Sequence, residues 1–289
     1  MRIPDFLLLY ILIFPFQACN KWETPTMVNL NGDKILLLGH AGAGLYHMNS
    51  VPDNSAEAVE RAIDGYGADG VEVDIQLSAD SVIFLYHDEN LQSKSICSGC
   101  ISERSSGYIN TCYLTRNFTT TLAQKFEIPT LETIFKEYRD KKEKLTFYLN
   151  IKSESCYGNY GSDTEYLKAI SRQIVKLVQR YGLEKRTIVE VNKDIIGEVI
   201  RSLNPEIRLF YTVDDLRYDI PKAIEKGMDG VVVGSEITKE DIAHLHQNNI
   251  WVALMPEGTK KNIKMAINKG PEIILTDNME VTIRLLQGQ

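Results

Sequence analysis

The sequence predicts an α/β protein folded as a (β/α)8 TIM barrel, and three observations support this prediction. Short apolar segments rich in β-branched residues alternate with amphipathic segments, which is typical of βα units on a parallel sheet. The chain contains about eight such units, and that number favours a closed barrel over an open sheet. A glycine-rich dinucleotide-binding motif does not follow the first predicted strand, which argues against the main open-sheet alternative.

The predicted strands and helices follow one another along almost the whole chain. The predicted strands are residues 35–39, 70–77, 82–87, 145–152, 187–191, 208–212, 230–233, 250–254 and 272–276. The predicted helices are residues 55–65, 131–141, 164–181, 193–203, 220–226, 239–247, 260–269 and 281–286. Glycine stands where a helix stops before the next strand, as at Gly227, because it tolerates the left-handed backbone of a helix end.

Two segments interrupt this alternation. Residues 77–87 contain two strand patterns joined by a connection too short for a parallel crossover, so we expect a β-hairpin there. Residues 88–128 hold no long apolar run and include three of the four cysteines that follow Cys19. A loop of that length in a compact domain is usually functional or braced. We expect a β-hairpin and a long Cys-containing loop inserted over the barrel mouth after the second barrel strand.

The first residues are typical of an export signal. An apolar run at residues 6–16 precedes Ala18 and Cys19, and it is too short to span a bilayer, which takes about 20 residues. The small residue before Cys19 resembles the lipobox of bacterial lipoproteins, although Phe16 stands where leucine is usual. We expect a signal peptide at 1–18, a lipidated tether at 19–30 and the barrel domain at 31–289. The exported protein is then expected either to be lipid-anchored to the cell envelope, at the outer membrane, or to be periplasmic. The alternative is an ordinary signal peptide and a chance cysteine.

Charge and cysteine content restrict the partners. The net charge is −7 and the isoelectric point is near 5.4, which argues against nucleic acid as a partner. In an exported chain, an even number of cysteines suggests disulfides, and the spacing favours disulfides or free thiols over a zinc site. The sequence leaves their pairing and the oligomeric state open. The four cysteines are Cys97, Cys100, Cys112 and Cys156.

Polar side chains stand at the ends of several apolar strands. In a TIM barrel, the carboxyl ends of the strands face the active site. Glu72 and Asp74 lie two residues apart on one strand, so both point to the same side, where isolated charges are costly unless paired or coordinated. A hard divalent cation such as Mg²⁺ or Ca²⁺ satisfies oxygen ligands. The other residues at strand ends are His40, His87, Asn150, Lys152 and Glu190.

Trp251 is a further candidate. It lies near the end of a predicted strand and could stack on a substrate, although a single Trp in such a strand also fits the core. We therefore carry it forward as a substrate-binding candidate.

Several motifs together resemble the glycerophosphodiester phosphodiesterase family. The resemblance extends from about residue 35 to residue 286, and its Glu-x-Asp and His-Asp segments are specific. The motifs are Gly39-His40-Ala41-Gly42, Pro52-Asp53-Asn54-Ser55, the Glu72-Val73-Asp74 strand, His87-Asp88, Ile128-Pro129-Thr130-Leu131-Glu132, Lys152 and Thr276-Asp277-Asn278.

The resemblance implies a metal-dependent phosphoric diester hydrolase that acts on glycerophosphodiesters or related small molecules. It implies that His40 and His87 act as general acid and base and that Glu72 and Asp74 bind a divalent cation, Mg²⁺ or Ca²⁺. Lys152 would contact the phosphate. Asn150 and Glu190 are expected to complete the metal ligands, Asn150 through its carbonyl oxygen and Glu190 if its side chain reaches the same mouth.

The chain departs from the family pattern at three positions. Ala41 replaces the usual arginine, Asp53 replaces glutamate, and Asn150 replaces an acid, so we expect weaker cation binding. These changes leave two alternatives open. One is a phospholipase-D-like lyase that releases a cyclic phosphate, and the other is a non-catalytic cell-surface binding protein on the same barrel.

Overall fold

The computed structural model describes residues 28–45, 51–115, 125–141, 144–153 and 156–286. The predicted signal peptide, the lipidation candidate Cys19 and most of the tether lie outside the described residues. Across the part of the chain that is described, no helix is long and apolar enough to cross a membrane.

Eight parallel strands form a closed barrel, which confirms the predicted fold. The barrel consists of β1, β2 and β6 to β11, and it closes because β1 pairs in parallel with both β2 and β11. The strands are β1 (Leu36–Gly39), β2 (Gly70–Leu77), β3 (Ile83–Leu85), β4 (Tyr113–Leu114), β5 (Phe126–Glu127), β6 (Thr146–Ile151), β7 (Thr187–Val191), β8 (Arg208–Thr212), β9 (Gly230–Val233), β10 (Trp251–Leu254) and β11 (Ile273–Thr276).

The helices cover the outside of the barrel. They are α1 (Ala56–Glu60), continued by a π-helical turn at Arg61–Gly65, α2 (Ser106–Ile109), α3 (Leu131–Tyr138), α4 (Asp163–Tyr181), α5 (Asp194–Leu203), α6 (Leu216–Glu225), α7 (Lys239–Gln247), α8 (Lys260–Lys269) and α9 (Met279–Leu286). Helix α6 begins four residues before its predicted start at 220, because the Asp215 side chain caps it by accepting from the Arg217 N–H.

Helix α4 illustrates how the sequence specifies these elements. Leu167, Ile170 and Ile174 recur at helical spacing and are buried against the barrel. The Ser162 side chain caps the first turn, and Gly182 ends the helix in the left-handed conformation.

The alternation of side chains along each strand divides the core in two. One set packs outward under the helices, and the other fills the barrel interior, where Tyr148 and Phe210 meet edge to face with ring centroids 5.9 Å apart. Apolar residues fill the interior nearer the amino ends of the strands. The polar residues at the carboxyl ends therefore lie above an apolar floor.

The predicted hairpin and insertion are both present. Strand β2 pairs antiparallel with β3, and the chain that follows, including α2, β4 and β5, forms its own small apolar core. Two disulfides brace the insertion, and the second fastens it to the segment after β6. Because these four cysteines pair in two disulfides, the structure agrees with the disulfide prediction. The pairs are Cys97–Cys112 and Cys100–Cys156.

Candidate active site

Strand alternation directs one set of polar side chains into the barrel mouth. Glu72 is in register with Tyr148 and Asp74 with Asn150, so these carboxylates point inward on the same side as the interior tyrosine. Glu190 lies two residues beyond the interior Ile188 and points inward for the same reason.

His40 follows β1 and lies between two carboxylates. Its Nδ1 is 2.6 Å from Asp277 Oδ1, and its Nε2 is 3.7 Å from Glu72 Oε2. Burial lowers the pKa of His40, but Glu72 and Asp277 outweigh burial and raise the pKa to about 9. The ring is therefore oriented by Asp277 on one side and faces the Glu72 carboxylate with its other nitrogen.

Glu72 and Asp74 are both almost fully buried. Asp74 Oδ2 accepts a 2.7 Å hydrogen bond from Asn54 Nδ2, and its Oδ1 lies 3.1 Å from Lys152 Nζ. Glu72 Oε2 accepts from the Ala41 N–H at 2.8 Å, whereas Glu72 Oε1 has no hydrogen-bond partner among the described residues. Burial, followed by the Asp74 charge, raises the pKa of Glu72 to about 8.

The Asn54 contact depends on backbone conformation. Asn54 has a φ of 57°, a left-handed conformation that asparagine tolerates better than most residues. Its side chain both donates to Asp74 and accepts the Asp74 N–H at 2.9 Å. The Pro52–Asp53–Asn54 motif therefore fixes the Asp74 carboxylate from the loop that precedes α1.

Glu190 and Thr212 complete the far side of the mouth. Thr212 Oγ1 donates to Glu190 Oε1 at 2.9 Å, and burial raises the pKa of Glu190. A cavity of about 310 Å³ opens here. Its lining includes His40, Glu72, His87, Asn150, Lys152 and Glu190.

His87 enters the site from the end of the hairpin. Its Nδ1 is 2.8 Å from Asp88 Oδ1, and 46% of its side chain is exposed. Gln76 Nε2 donates to the carbonyl oxygens of Tyr86 and Asp88, at 3.1 and 2.9 Å, and so holds the backbone on both sides of His87. Both histidines therefore have a carboxylate on Nδ1, which leaves Nε2 for a ligand.

Residues 40–281 match the Glycerophosphoryl diester phosphodiesterase family. The chain belongs to this family. The sequence-based assignment is thus confirmed, and the enzyme class of the family is that of phosphoric diester hydrolases.

Curated and solved relatives agree with this membership. A glycerophosphodiester phosphodiesterase of Caldanaerobacter subterraneus is 24% identical over 88% of this chain and 98% of its own. A glycerophosphodiester phosphodiesterase structure from Agrobacterium tumefaciens shares the fold with a TM-score of 0.70 and 18% identity, covering 86% of this chain and 99% of that one. An Oleispira antarctica phosphodiesterase in complex with sn-glycerol-3-phosphate has a TM-score of 0.70 at 16% identity, with coverage of 88% and 97%.

Members of this phosphodiesterase family generally depend on a divalent metal ion, and the described site fits one. The buried carboxylates of Glu72 and Asp74 point to the same side of β2, and Glu72 Oε1 has no hydrogen-bond partner among the described residues. The amide of Asn150 and the carboxylate of Glu190 border the same cavity. This all-oxygen donor set suits a hard cation.

Among the predicted site residues that the structure describes, Trp251 lies away from the cavity. It is the first residue of β10, at the amino end of the strand, where its ring stacks under Arg208 with the guanidinium 4.7 Å from the ring centroid. Met255, which does line the cavity, is four residues on, about 13 Å along an extended chain. The structure therefore places Trp251 at the opposite end of the barrel from the cavity, and not beside the other predicted site residues.

Three functional contacts were missed by the sequence reasoning. Asp277 and Asp88 were noticed only as motif members, with no role as partners of the two histidines. Lys94, whose Nζ lies 2.7 Å from Asp53 Oδ2 and 3.7 Å from Asp88 Oδ1, was not singled out. The His-Asp dipeptide was the available signal for Asp88, whereas nothing in the local pattern marks Lys94.

Proposed function

We propose that this protein hydrolyses glycerophosphodiesters with a divalent cation and with His40 and His87 as the general acid–base pair. The observation that carries the proposal is that both histidines line one cavity together with the buried Glu72 carboxylate. The family membership and the product named in the Oleispira structure support a glycerophosphodiester as the substrate class.

The chain supplies the groups that this reaction requires. One histidine removes the proton of the attacking water, and the other protonates the oxygen of the departing alcohol as the bond between phosphorus and that oxygen breaks. A bound cation would neutralise the charge on the phosphate oxygens. Lys152, held near the cavity by Asp74, adds a positive charge beside the same oxygens.

A carboxylate on Nδ1 prepares each histidine for proton transfer. Asp277 and Asp88 accept from Nδ1 of His40 and His87, which fixes the ring tautomer and directs Nε2 toward the cavity. A binding protein has no evident need for two histidines prepared in this way. We therefore favour catalysis over the non-catalytic alternative.

We propose Mg²⁺ or Ca²⁺ as the cation, bound by Glu72 and Asp74 with Asn150 and Glu190 as further oxygen donors. Cysteine thiolates and the nitrogen of a third histidine, which zinc prefers, are not among the described residues that line the cavity. Asn150 carries no charge, so the cation should be held less tightly than by three carboxylates.

The test is turnover of glycerophosphodiesters and bis(p-nitrophenyl) phosphate with Mg²⁺, with Ca²⁺ and with chelator. We expect cation-dependent turnover that His40→Ala or His87→Ala lowers by at least about 100-fold, the usual contribution of general acid–base catalysis. His244→Ala, on the exposed face of α7, is the matched control and should retain full activity. Wild-type rates in both active-site variants would contradict the proposal.

Product analysis separates the alternatives. Glycerol phosphate as the first product supports hydrolysis by water. A cyclic phosphate that persists instead indicates attack by a neighbouring hydroxyl of the substrate, as in the lyase alternative. Binding of the diester without turnover, under conditions in which the cation binds, would indicate the binding protein.

We also propose, from the sequence alone, that the protein is exported and lipidated on Cys19. Metabolic labelling with a radioactive fatty acid should label the wild-type protein and not the Cys19→Ser variant. Equal labelling of both would contradict the anchor.

A further inference from the structure

Lys94 connects the disulfide-braced insertion to the active site. Its side chain reaches back toward the barrel, where Nζ lies 2.7 Å from Asp53 Oδ2 and 3.7 Å from Asp88 Oδ1. Burial lowers the pKa of Lys94, but the two carboxylates outweigh it and the net shift is upward. The ammonium group is therefore charged and lies between two acids of the mouth.

Asp88 is shared between Lys94 and the catalytic histidine. Its Oδ1 is the atom that lies 2.8 Å from His87 Nδ1 and 3.7 Å from Lys94 Nζ. Hydrogen bonds from Ser93 and His87, together with the Lys94 charge, outweigh burial and keep the pKa of Asp88 below its ordinary value. Because nearly half of the His87 side chain is exposed, packing alone does not fix the ring, and its orientation depends on this carboxylate.

The segment that carries Lys94 is itself rigidly held. The Lys94 N–H donates to the Tyr86 hydroxyl at 3.1 Å, and the Lys94 carbonyl accepts from the Thr115 N–H at 2.8 Å. Three residues later, Cys97 is joined to Cys112. The position of the ammonium group is thus determined by the insertion and by the residue directly before His87.

We propose that Lys94 is a positioning residue, through which the insertion holds Asp88 and thereby orients His87 for proton transfer. The inference rests on the proposed function, because it assigns His87 a part in the reaction. Lys94 is not among the residues that line the cavity, so the structure connects it to the histidine rather than to the phosphate.

The first test compares Lys94→Met with Lys94→Arg in steady-state turnover of a glycerophosphodiester. We expect Lys94→Met to lower kcat roughly 10-fold with little change in KM, because small displacements of a reacting group cost rate rather than ground-state binding. Lys94→Arg keeps the charge and should recover most of the rate. Lys125→Met, a matched change at an exposed residue elsewhere on the insertion, should leave kcat unchanged.

The second test combines Lys94→Met with His87→Ala. If Lys94 acts through His87, the double variant has the same rate as His87→Ala alone. If the double variant instead loses a further factor in kcat equal to the loss caused by Lys94→Met alone, the inference is overturned. An unchanged kcat in Lys94→Met, or an effect on KM alone, would overturn it as well. Should Lys94→Met lower the melting temperature enough to unfold the protein, Lys94→Gln replaces it in both tests.

The two levels of the argument fail separately. A fall in rate for His87→Ala, together with a wild-type rate for Lys94→Met, overturns the positioning role and leaves the proposed function intact. A wild-type rate for His87→Ala overturns both.

Discussion

His40 Nδ1 lies 2.6 Å from Oδ1 of Asp277, a residue 237 positions later in the chain. Closure of the barrel brings them together. Gly39, the last residue of β1, is in register with Thr276, the last residue of β11, and His40 and Asp277 directly follow these two residues. The pair therefore depends on the whole fold being complete. It also places a carboxylate behind the proposed catalytic ring.

We expect Asp277→Asn to lower kcat by roughly 100-fold or more, since an amide can hold the wrong imidazole tautomer and does not stabilise a protonated ring. KM should change little, because Asp277 does not line the main cavity. Steady-state kinetics over several substrate concentrations will separate the two constants. The control is Asp214→Asn, which removes an exposed carboxylate on the opposite side of the mouth and shows what loss of charge alone does. If Asp214→Asn lowers kcat as much as Asp277→Asn does, the specific role of Asp277 is contradicted.

Asn150 is in register with Asp74 and stands where the family usually has an acid. Asn150→Glu adds a negative charge beside the Glu72–Asp74 pair, so we expect its cation dissociation constant to fall by about 10- to 100-fold, the scale on which individual groups tune a metal site. Isothermal titration with Mg²⁺ and Ca²⁺ measures it directly. The control, Asn110→Glu, adds the same charge at an exposed position of the insertion and should leave the cation dissociation constant unchanged. If the dissociation constant is also unchanged in Asn150→Glu, Asn150 is not one of the cation ligands.

The residues on the barrel strands could be predicted because the strand period is two. Once Val71 and Val73 are recognised as outward-facing, Glu72 and Asp74 must face inward, and the same alternation predicts the inward orientation of Glu190. Alternation alone does not tell which end of a strand a residue occupies. Trp251 illustrates this, because it is the first residue of β10 and so lies at the amino end of the strand, away from the cavity.

Contacts made by loops could not be predicted in the same way. Lys94 and the four cysteines lie in segments without hydrophobic periodicity, so the sequence indicates that the insertion exists but not how it folds. Disulfide pairing and the Lys94–Asp88 approach depend on the path of that loop through space. Asp277 and His40 meet only through barrel closure, which no local pattern records.

Metal binding should be visible as a change in stability. Glu72 Oε1 has no hydrogen-bond partner in the described part of the chain, so a cation that binds there should stabilise the folded state. At 100 times the dissociation constant, the gain is about 2.7 kcal/mol. Thermal unfolding with and without Mg²⁺ or Ca²⁺ measures the gain.

Glu72→Gln provides the contrast. The amide cannot take on the negative charge that burial and the Asp74 charge disfavour at Glu72, so the variant without added cation should be at least as stable as the wild type. The stabilisation by added cation should be largely lost. A melting temperature that rises with cation as much as in the wild type would mean that the ion binds elsewhere.

The two disulfides should separate stability from activity. Cys97–Cys112 closes a segment with a sequence separation of 15, and Cys100–Cys156 one of 56. In the chain-entropy model, losing them costs about 3 and about 4 kcal/mol respectively, so replacing the second pair by serine should lower the free energy of unfolding more. Urea unfolding of the two double-serine variants measures the difference.

We expect activity to follow the opposite order. The Cys97–Cys112 bond braces the segment that carries Lys94, so its loss should loosen the contact to Asp88 and lower kcat more than loss of the other bond does. The values of kcat must be compared under conditions in which both variants are fully folded. Adding Lys94→Met to the Cys97→Ser/Cys112→Ser variant should then lower kcat only a little further. If kcat instead falls in the same order as stability, the disulfides act on the fold as a whole and not through the positioning of His87.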